Sequence, residues 1–252
     1  MLLLLRNIRR RLLSGNKITT YILYAIGEIF LVVVGILIAV SIDDWNQSQM
    51  NERMELNALI DLQAEFKANY TKLQVDRQIK LSGIKHTNEK LQAIKDKYAL
   101  PLIKLKPLGW HGAYTYNGSN AVLNSLLASG DINLISNDSL KYLLTAWSEQ
   151  VKDFVEDEEI HLNFIVNDFT GYQRQFMTIG TYPPDESNFE QWYDEHLKLK
   201  QRYEFAMEDP LLENLLQNNL VIIDIIMLEF DQLERAILNI QALLEKEIQA
   251  KS

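Results

Sequence analysis

Residues 21–42 read YILYAIGEIFLVVVGILIAVSI, an apolar run with a single formal charge, Glu28. As a helix rising about 1.5 Å per residue, the run reaches about 33 Å, enough for the roughly 30 Å hydrocarbon core of a bilayer. Arg6, Arg9, Arg10, Arg11 and Lys17 precede it, and Asp43 and Asp44 follow. Basic residues stay on the cytoplasmic side, so the pattern predicts a cytoplasmic N-terminus and an extracytoplasmic chain after Ile42. Tyr21 and Tyr24 at one end and Trp45 at the other are placed like interfacial anchors. A cleaved signal peptide needs a shorter apolar core and a small-residue cleavage site, and IAVS at 38–41 is a poor one. A buried core helix would account for the apolarity but not for the charge asymmetry. The opening MLLLLRNIRRRLL reads either as an interfacial helix on the inner leaflet or as an unstructured basic tail. The expected organisation is a basic segment over 1–20, a transmembrane helix over 21–42 and one further domain over 43–252.

At about 100° per residue, Ala25, Glu28, Val32, Gly35, Ala39 and Ile42 share a stripe about 100° wide. Small residues let transmembrane backbones approach, and a polar side chain among them can hydrogen-bond across the contact. Glu28 lies about 10 Å into an upright span, where an ionised carboxylate is costly unless paired. Tyr24, one turn back, is a local candidate partner. Three roles stand for Glu28: snorkelling to the cytoplasmic headgroups, an association contact, or ion coupling. Ala25, Glu28, Val32, Gly35 and Ala39 form the candidate association surface, toward a second copy or another membrane protein.

Up to Ile42 the balance of charge is +4, so with −9 for the whole chain the remainder carries −13. So acidic a domain repels a phosphate backbone, which excludes nucleic acid as its expected partner. The chain has no cysteine, so disulfides, thiolate metal sites and cysteine nucleophiles are impossible.

Beyond the span, Leu56, Leu59, Leu62, Phe66, Tyr70 and Leu73 recur at helical spacing, and Ile84, Leu91, Ile94 and Tyr98 resume it. This predicts a long amphipathic helix broken near LSGI at 81–84 and ended by Pro101, Pro107 and Gly109. SNAVLNSLLASG predicts a short helix capped by Ser119 or Asn120 and stopped at Gly130. Asn137 or Asp138 caps the next helix, with Leu140, Leu143, Leu144, Trp147, Val151, Phe154 and Val155 as its apolar stripe. Tyr182, Pro183 and Pro184 break the chain before a helix over SNFEQWYDEHLKLKQRY. Asp209 caps the last helix, Pro210 takes its first position, and no breaker follows to about Ile248. Period-two alternation dominates nowhere, so the fold class is all-α: a bundle of long antiparallel helices continuing from the membrane helix.

Glu158 and His161 have the Glu-x-x-His spacing of carboxylate-bridged di-metal bundles. YDEH at 193–196 fails as the required second copy, so DFVEDEEI reads as a solvated acidic face. A Gly-rich phosphate loop, a nucleophile elbow and a His-Glu-x-x-His helix are all missing. No catalytic residue, metal or cofactor is assigned, and the chain reads as a non-enzyme. LGWHGAYTYNGSN gathers Trp110, His111, Tyr114 and Tyr116 around three glycines. It reads as a cap folded back on the bundle or as a binding loop. The lysines at 85, 90, 95, 97, 104 and 106 make its approach basic, as an internal charge contact or a docking patch.

YAIGEIFLVVVGILIAVSIDDWNQ, preceded by RNIRRRLLSGNK, resembles the N-terminal signature of an uncharacterised family of single-pass membrane proteins common in Bacteroidota. LNSLLASGDINLISNDSLKYLLTAW resembles its internal motif, a helix ending in Ser-Gly before a leucine-rich helix. The likeness is specific over 6–47, fair over 119–147 and vague elsewhere, and IDDWNQ has aspartates where the family pattern carries asparagines. The resemblance implies a bacterial inner-membrane protein with a periplasmic C-terminal domain and Glu28 within its signature; it brings no activity. The expected function is a membrane-anchored binding or scaffold module, an accessory subunit of an envelope complex. A ligand-binding sensor domain signalling through a partner, and an ion-coupled subunit using Glu28, are the alternatives.

Overall fold

The computed structural model describes residues 18–96, 113–176 and 197–251, and all secondary structure among them is helical. Helix α1 runs Ile18–Lys95, α2 Ala121–Ser129, α3 Asp138–Asn163, α4 Thr170–Phe176, α5 Leu197–Glu208 and α6 Pro210–Lys251. A 3₁₀ turn, Asp131–Leu134, joins α2 to α3, and a π-helical segment, Phe164–Phe169, joins α3 to α4. The chain forms two compact units, Met1–Glu55 and Leu56–Ser252. Helix α1 contributes residues 18–55 to the first and 56–95 to the second.

In the first unit the apolar run is helical and uncovered: Leu23, Ile29, Phe30 and Leu31 are 64–68% exposed. Among the described residues two helices, from Tyr21 and from Pro210, are long and apolar enough to cross a membrane. The most apolar window of the first has no buried residue; that of the second is 28% buried, and its inner face forms the core of the second unit.

Contrary to expectation, α1 does not break at 81–84; it continues through Gly83 to Lys95. A helical glycine is about 1 kcal/mol worse than alanine but keeps its N–H donor, so neighbouring turns and packing carry the helix through. The predicted caps of the later helices are present. Gly130 adopts φ +83° just past α2, the left-handed stop that favours glycine. Asn137 Oδ1 accepts from Leu140 N at 2.9 Å at the start of α3, and Asp209 Oδ1 accepts from Leu211 N at 2.9 Å at the start of α6.

The cap of α2 differs from the prediction. Asn120 takes the N-cap position, but its side chain makes no cap bond; Glu65 of α1 instead accepts from Val122 N at 3.0 Å and from Leu123 N at 3.1 Å. Ser119 Oγ donates to the same carboxylate at 3.2 Å, and Asn120 Oδ1 instead accepts from Trp147 Nε1 at 3.0 Å. A carboxylate at a helix N-terminus meets both the free N–H groups and the positive end of the dipole.

The second unit is built on three helix faces of 3–4 spacing. On α1 the face runs through Leu59, Leu62, Phe66, Asn69 and Leu73; on α3 through Leu140, Leu144, Trp147 and Phe154; on α6 through Leu212, Leu216, Ile223, Ile226, Phe230, Leu233, Ile237, Ile240 and Leu244. Phe66 meets Trp147 at a centroid distance of 5.2 Å, and Phe154 meets Phe230 edge-on at 4.7 Å. Gln241 donates to the Phe66 carbonyl, Tyr70 and Gln74 donate to Glu234, and Arg77 pairs with Asp231 and Glu234. As numbers rise along α1 they fall along α6. A second apolar cluster gathers Ala93, Phe164, Ile165, Phe169, Tyr172, Ala206, Met207, Leu212 and Leu216.

Candidate functional site: a buried polar layer

Past Leu73 the inner face of α1 changes chemistry without changing register. The same 3–4 steps lead to Asp76, Lys80, Thr87 and Lys90, none more than 1% exposed. Ile84, Leu91 and Ile94, which had marked the resumed apolar face, are only half-buried. The rotation by 3–4 steps keeps Leu73 and Asp76 on one side of the cylinder, and 84, 91 and 94 lie beside that seam. On α3 the buried face likewise passes from Phe154 to Glu158 and His161, and on α6 Asn219 interrupts the aliphatic row.

These groups form two connected sets. In the first, Lys80 Nζ lies 2.8 Å from Glu158 Oε1 and 3.7 Å from Asp76 Oδ1, and donates to the Tyr114 carbonyl. The Tyr116 N–H donates to Glu158 Oε2. Burial raises the Asp76 carboxyl, and raises Glu158 to about 8, against the attraction of Lys80. In the second set, His161 Nε2 donates to Asn219 Oδ1 at 2.8 Å, and Asn219 Nδ2 donates to Thr87 Oγ1 at 3.0 Å. The chain of donors fixes the His161 tautomer with the proton on Nε2. Burial lowers the His161 pKa, which keeps the ring neutral.

Glu158 and His161 therefore sit inside the domain, not on a solvated acidic face as their surroundings had indicated. Asp153, Glu156 and Glu159 of the same run are exposed. The Glu-x-x-His pair is divided between different partners, Lys80 and Asn219. Among the described residues no group of three or more His, Asp or Glu is placed to hold a metal.

Lys90 is a separate case. Its amine is buried with no hydrogen-bond partner among the described residues, and burial pulls its pKa down to about 7. Lys97, Lys104 and Lys106 of the basic stretch lie outside the described residues.

Of the aromatic loop, Trp110 and His111 also lie outside the described residues, while Tyr114 is half exposed. Tyr116 is 4% exposed, packs edge-on against Phe154 at 6.1 Å and donates from its hydroxyl to the Asn69 carbonyl at 3.3 Å. Its ring folds over Gly118, where a Cβ would collide with the hydroxyl oxygen. Asn69 also pairs with both backbone groups of Ser119. This part of the loop is core, so Tyr116 is not a residue of an open binding surface.

In the first unit, Glu28, Val32, Gly35 and Ala39 are exposed and Ala25 half-buried. A Cβ added at Gly35 would meet nothing within 4 Å. The polar layer escaped sequence reading because its members are polar; the signal that could have found it is the unbroken 3–4 register from Leu59 onward.

A family model described as "Family of unknown function (DUF6090)" matches residues 28–181, more than half of the chain, and the chain belongs to that family. The match opens on Glu28 and takes in Lys80, Glu158 and His161; Asn219 lies beyond it. No curated protein and no solved structure matches the chain.

Proposed function

We propose that this member of a family of unknown function is a membrane-anchored helical binding module, an accessory or scaffold subunit of an envelope complex that does not act as an enzyme. Residues 1–20 lie on the cytoplasmic side of a bacterial inner membrane, 21–42 span it, and 43–252 form a periplasmic bundle of long antiparallel helices. The observation that carries the reading is the uncovered apolar helical run 21–42, flanked by arginines on one side and aspartates on the other. At about 25 cal/mol per Å² of apolar surface, side chains this exposed favour transfer into lipid strongly. Within the span, the Ala25–Glu28–Val32–Gly35–Ala39 stripe associates with a second copy or with another membrane protein. The small residues allow close approach and Glu28 supplies the hydrogen bond.

Crosslinking in native membranes tests this. Glu28→Ala and Gly35→Leu are each expected to abolish the adduct formed through the span, whether it is a dimer or a hetero-complex. Unchanged adducts in both variants would remove the stripe from the reading. A Glu28→Gln that behaves like the parent points to a hydrogen-bonding, not an ion-carrying, carboxyl.

A further inference from the structure

Asp76, Lys80 and Glu158 carry two carboxyls and one ammonium, each residue no more than 1% exposed. Fully ionised, they would leave one net negative charge inside the domain, which a low-dielectric interior tolerates poorly. Lys80 is already engaged, with Glu158 Oε1 at 2.8 Å, Asp76 Oδ1 at 3.7 Å and the Tyr114 carbonyl. Glu158 Oε2 is taken by the Tyr116 N–H. Asp76 is left with both oxygens buried and no donor among the described residues. The cluster is short of one hydrogen, and the two carboxyls flank the same Lys80 ammonium, Glu158 Oε1 at 2.8 Å and Asp76 Oδ1 at 3.7 Å.

We propose that Asp76, Lys80 and Glu158 form a proton-binding site, in which one proton shared by the two carboxyls completes the contact of α1 with α3 and the 114–116 loop. Release of the proton leaves a buried charge that the helices relieve by separating to admit water. The groups facing the site from each element are few. Helix α1 supplies Asp76 and Lys80, with Arg77 on the flank held by Asp231 and Glu234 of α6. The loop supplies the Tyr114 carbonyl, the Tyr116 N–H and the Tyr116 phenol, whose pKa burial raises out of the way. Helix α3 supplies Glu158 and neutral His161, and α6 the amide of Asn219. Glu229 of α6, raised to about 7 by burial and then by Asp157 and Asp153, titrates in an overlapping range and needs a control.

The direction of the pH dependence follows. The folded chain holds the Glu158 proton up to about 8 and the unfolded chain only to about 4.5. Unfolding therefore releases a proton between these values, and stability falls as pH rises through them. The test is denaturant unfolding of the full chain in detergent from pH 5 to pH 9, in a Glu229→Gln background. The unfolding constant of the parent divided by that of Glu158→Gln, which keeps a donor at every pH, is expected to rise by roughly 10²–10³-fold across this window, the opposing titration of Lys90 cancelling in the ratio. Asp76→Asn removes the competing charge, so Glu158 ionises beside Lys80 and the rise shrinks. Infrared difference spectra give a second readout that survives poor folding of Glu158→Gln. In the Glu229→Gln background, the parent-minus-Asp76→Asn difference at pH 7, in which the Glu28 carboxyl cancels, is expected to show the carbonyl band of a protonated carboxylic acid. Parallel pH curves for parent and Glu158→Gln overturn the proposal, as does the lack of an acid band in that difference. Restoration of stability at pH 8.5 by sodium or potassium, but not choline, overturns it too, because a metal cation would then fill the site.

Discussion

Replacing Lys90 by methionine keeps the length and most of the volume of the side chain and removes its ammonium. Lys90 is 1% exposed, three residues before Ala93 of the second apolar cluster, and its amine has no partner among the described residues. Burial holds its pKa at about 7 against the ordinary 10.5, with only a small opposing pull from Glu89. The unfolded chain keeps the proton up to about 10.5, so unfolding takes up a proton between pH 7 and 10.5. Stability contributed at this position therefore rises with pH through that window. At roughly 1.4 kcal/mol per pH unit, the whole gap is worth about 5 kcal/mol. Relaxation and water entry reduce such penalties, so Lys90→Met is expected to stabilise the full chain by ~2–4 kcal/mol at pH 7 and to match the parent near pH 10.5. Denaturant unfolding in mild detergent, followed by loss of helical ellipticity at a series of pH values, measures the difference. Subtracting parent from variant at each pH cancels the acid groups, since Lys80 and Lys90 stand about 15 Å apart along α1. A gain that is the same at pH 7 and 10.5, or a loss at pH 7, would refute an unpaired buried amine.

Glu65→Ala takes away the carboxylate that receives the Val122 and Leu123 N–H groups. The expected cost is about 1–3 kcal/mol, with amide exchange accelerated first in α2. Asn219→Leu leaves His161 Nε2 and Thr87 Oγ1 buried without each other's bridge. It is expected to destabilise by about 1–3 kcal/mol, and adding Thr87→Val should recover part of that loss; equal stability of Asn219→Leu and parent in thermal unfolding would count against the network.

The helices, their caps at Asn137, Asp209 and Pro210 and the stop at Gly130 were legible in the chain, because each depends on residues within one or two turns. So was the apolar run at 21–42, whose length and flanking charges need no partner to be read. What neighbouring helices contribute was not legible. Gly83 reads as a break until packing carries α1 through it, and Ser119 and Asn120 read as caps until Glu65 arrives from more than fifty residues upstream. The interior position of Asp76, Lys80, Glu158 and His161 was the largest difference. Apolar periodicity shows which face of a helix avoids water, but a polar residue enters a core only where another segment satisfies it. For Glu158 those segments are α1 and the 114–116 loop, and for His161 it is Asn219, 58 residues further along the chain. Local sequence determined the elements; the partners that let charged side chains lie between them were decided only when the helices came together.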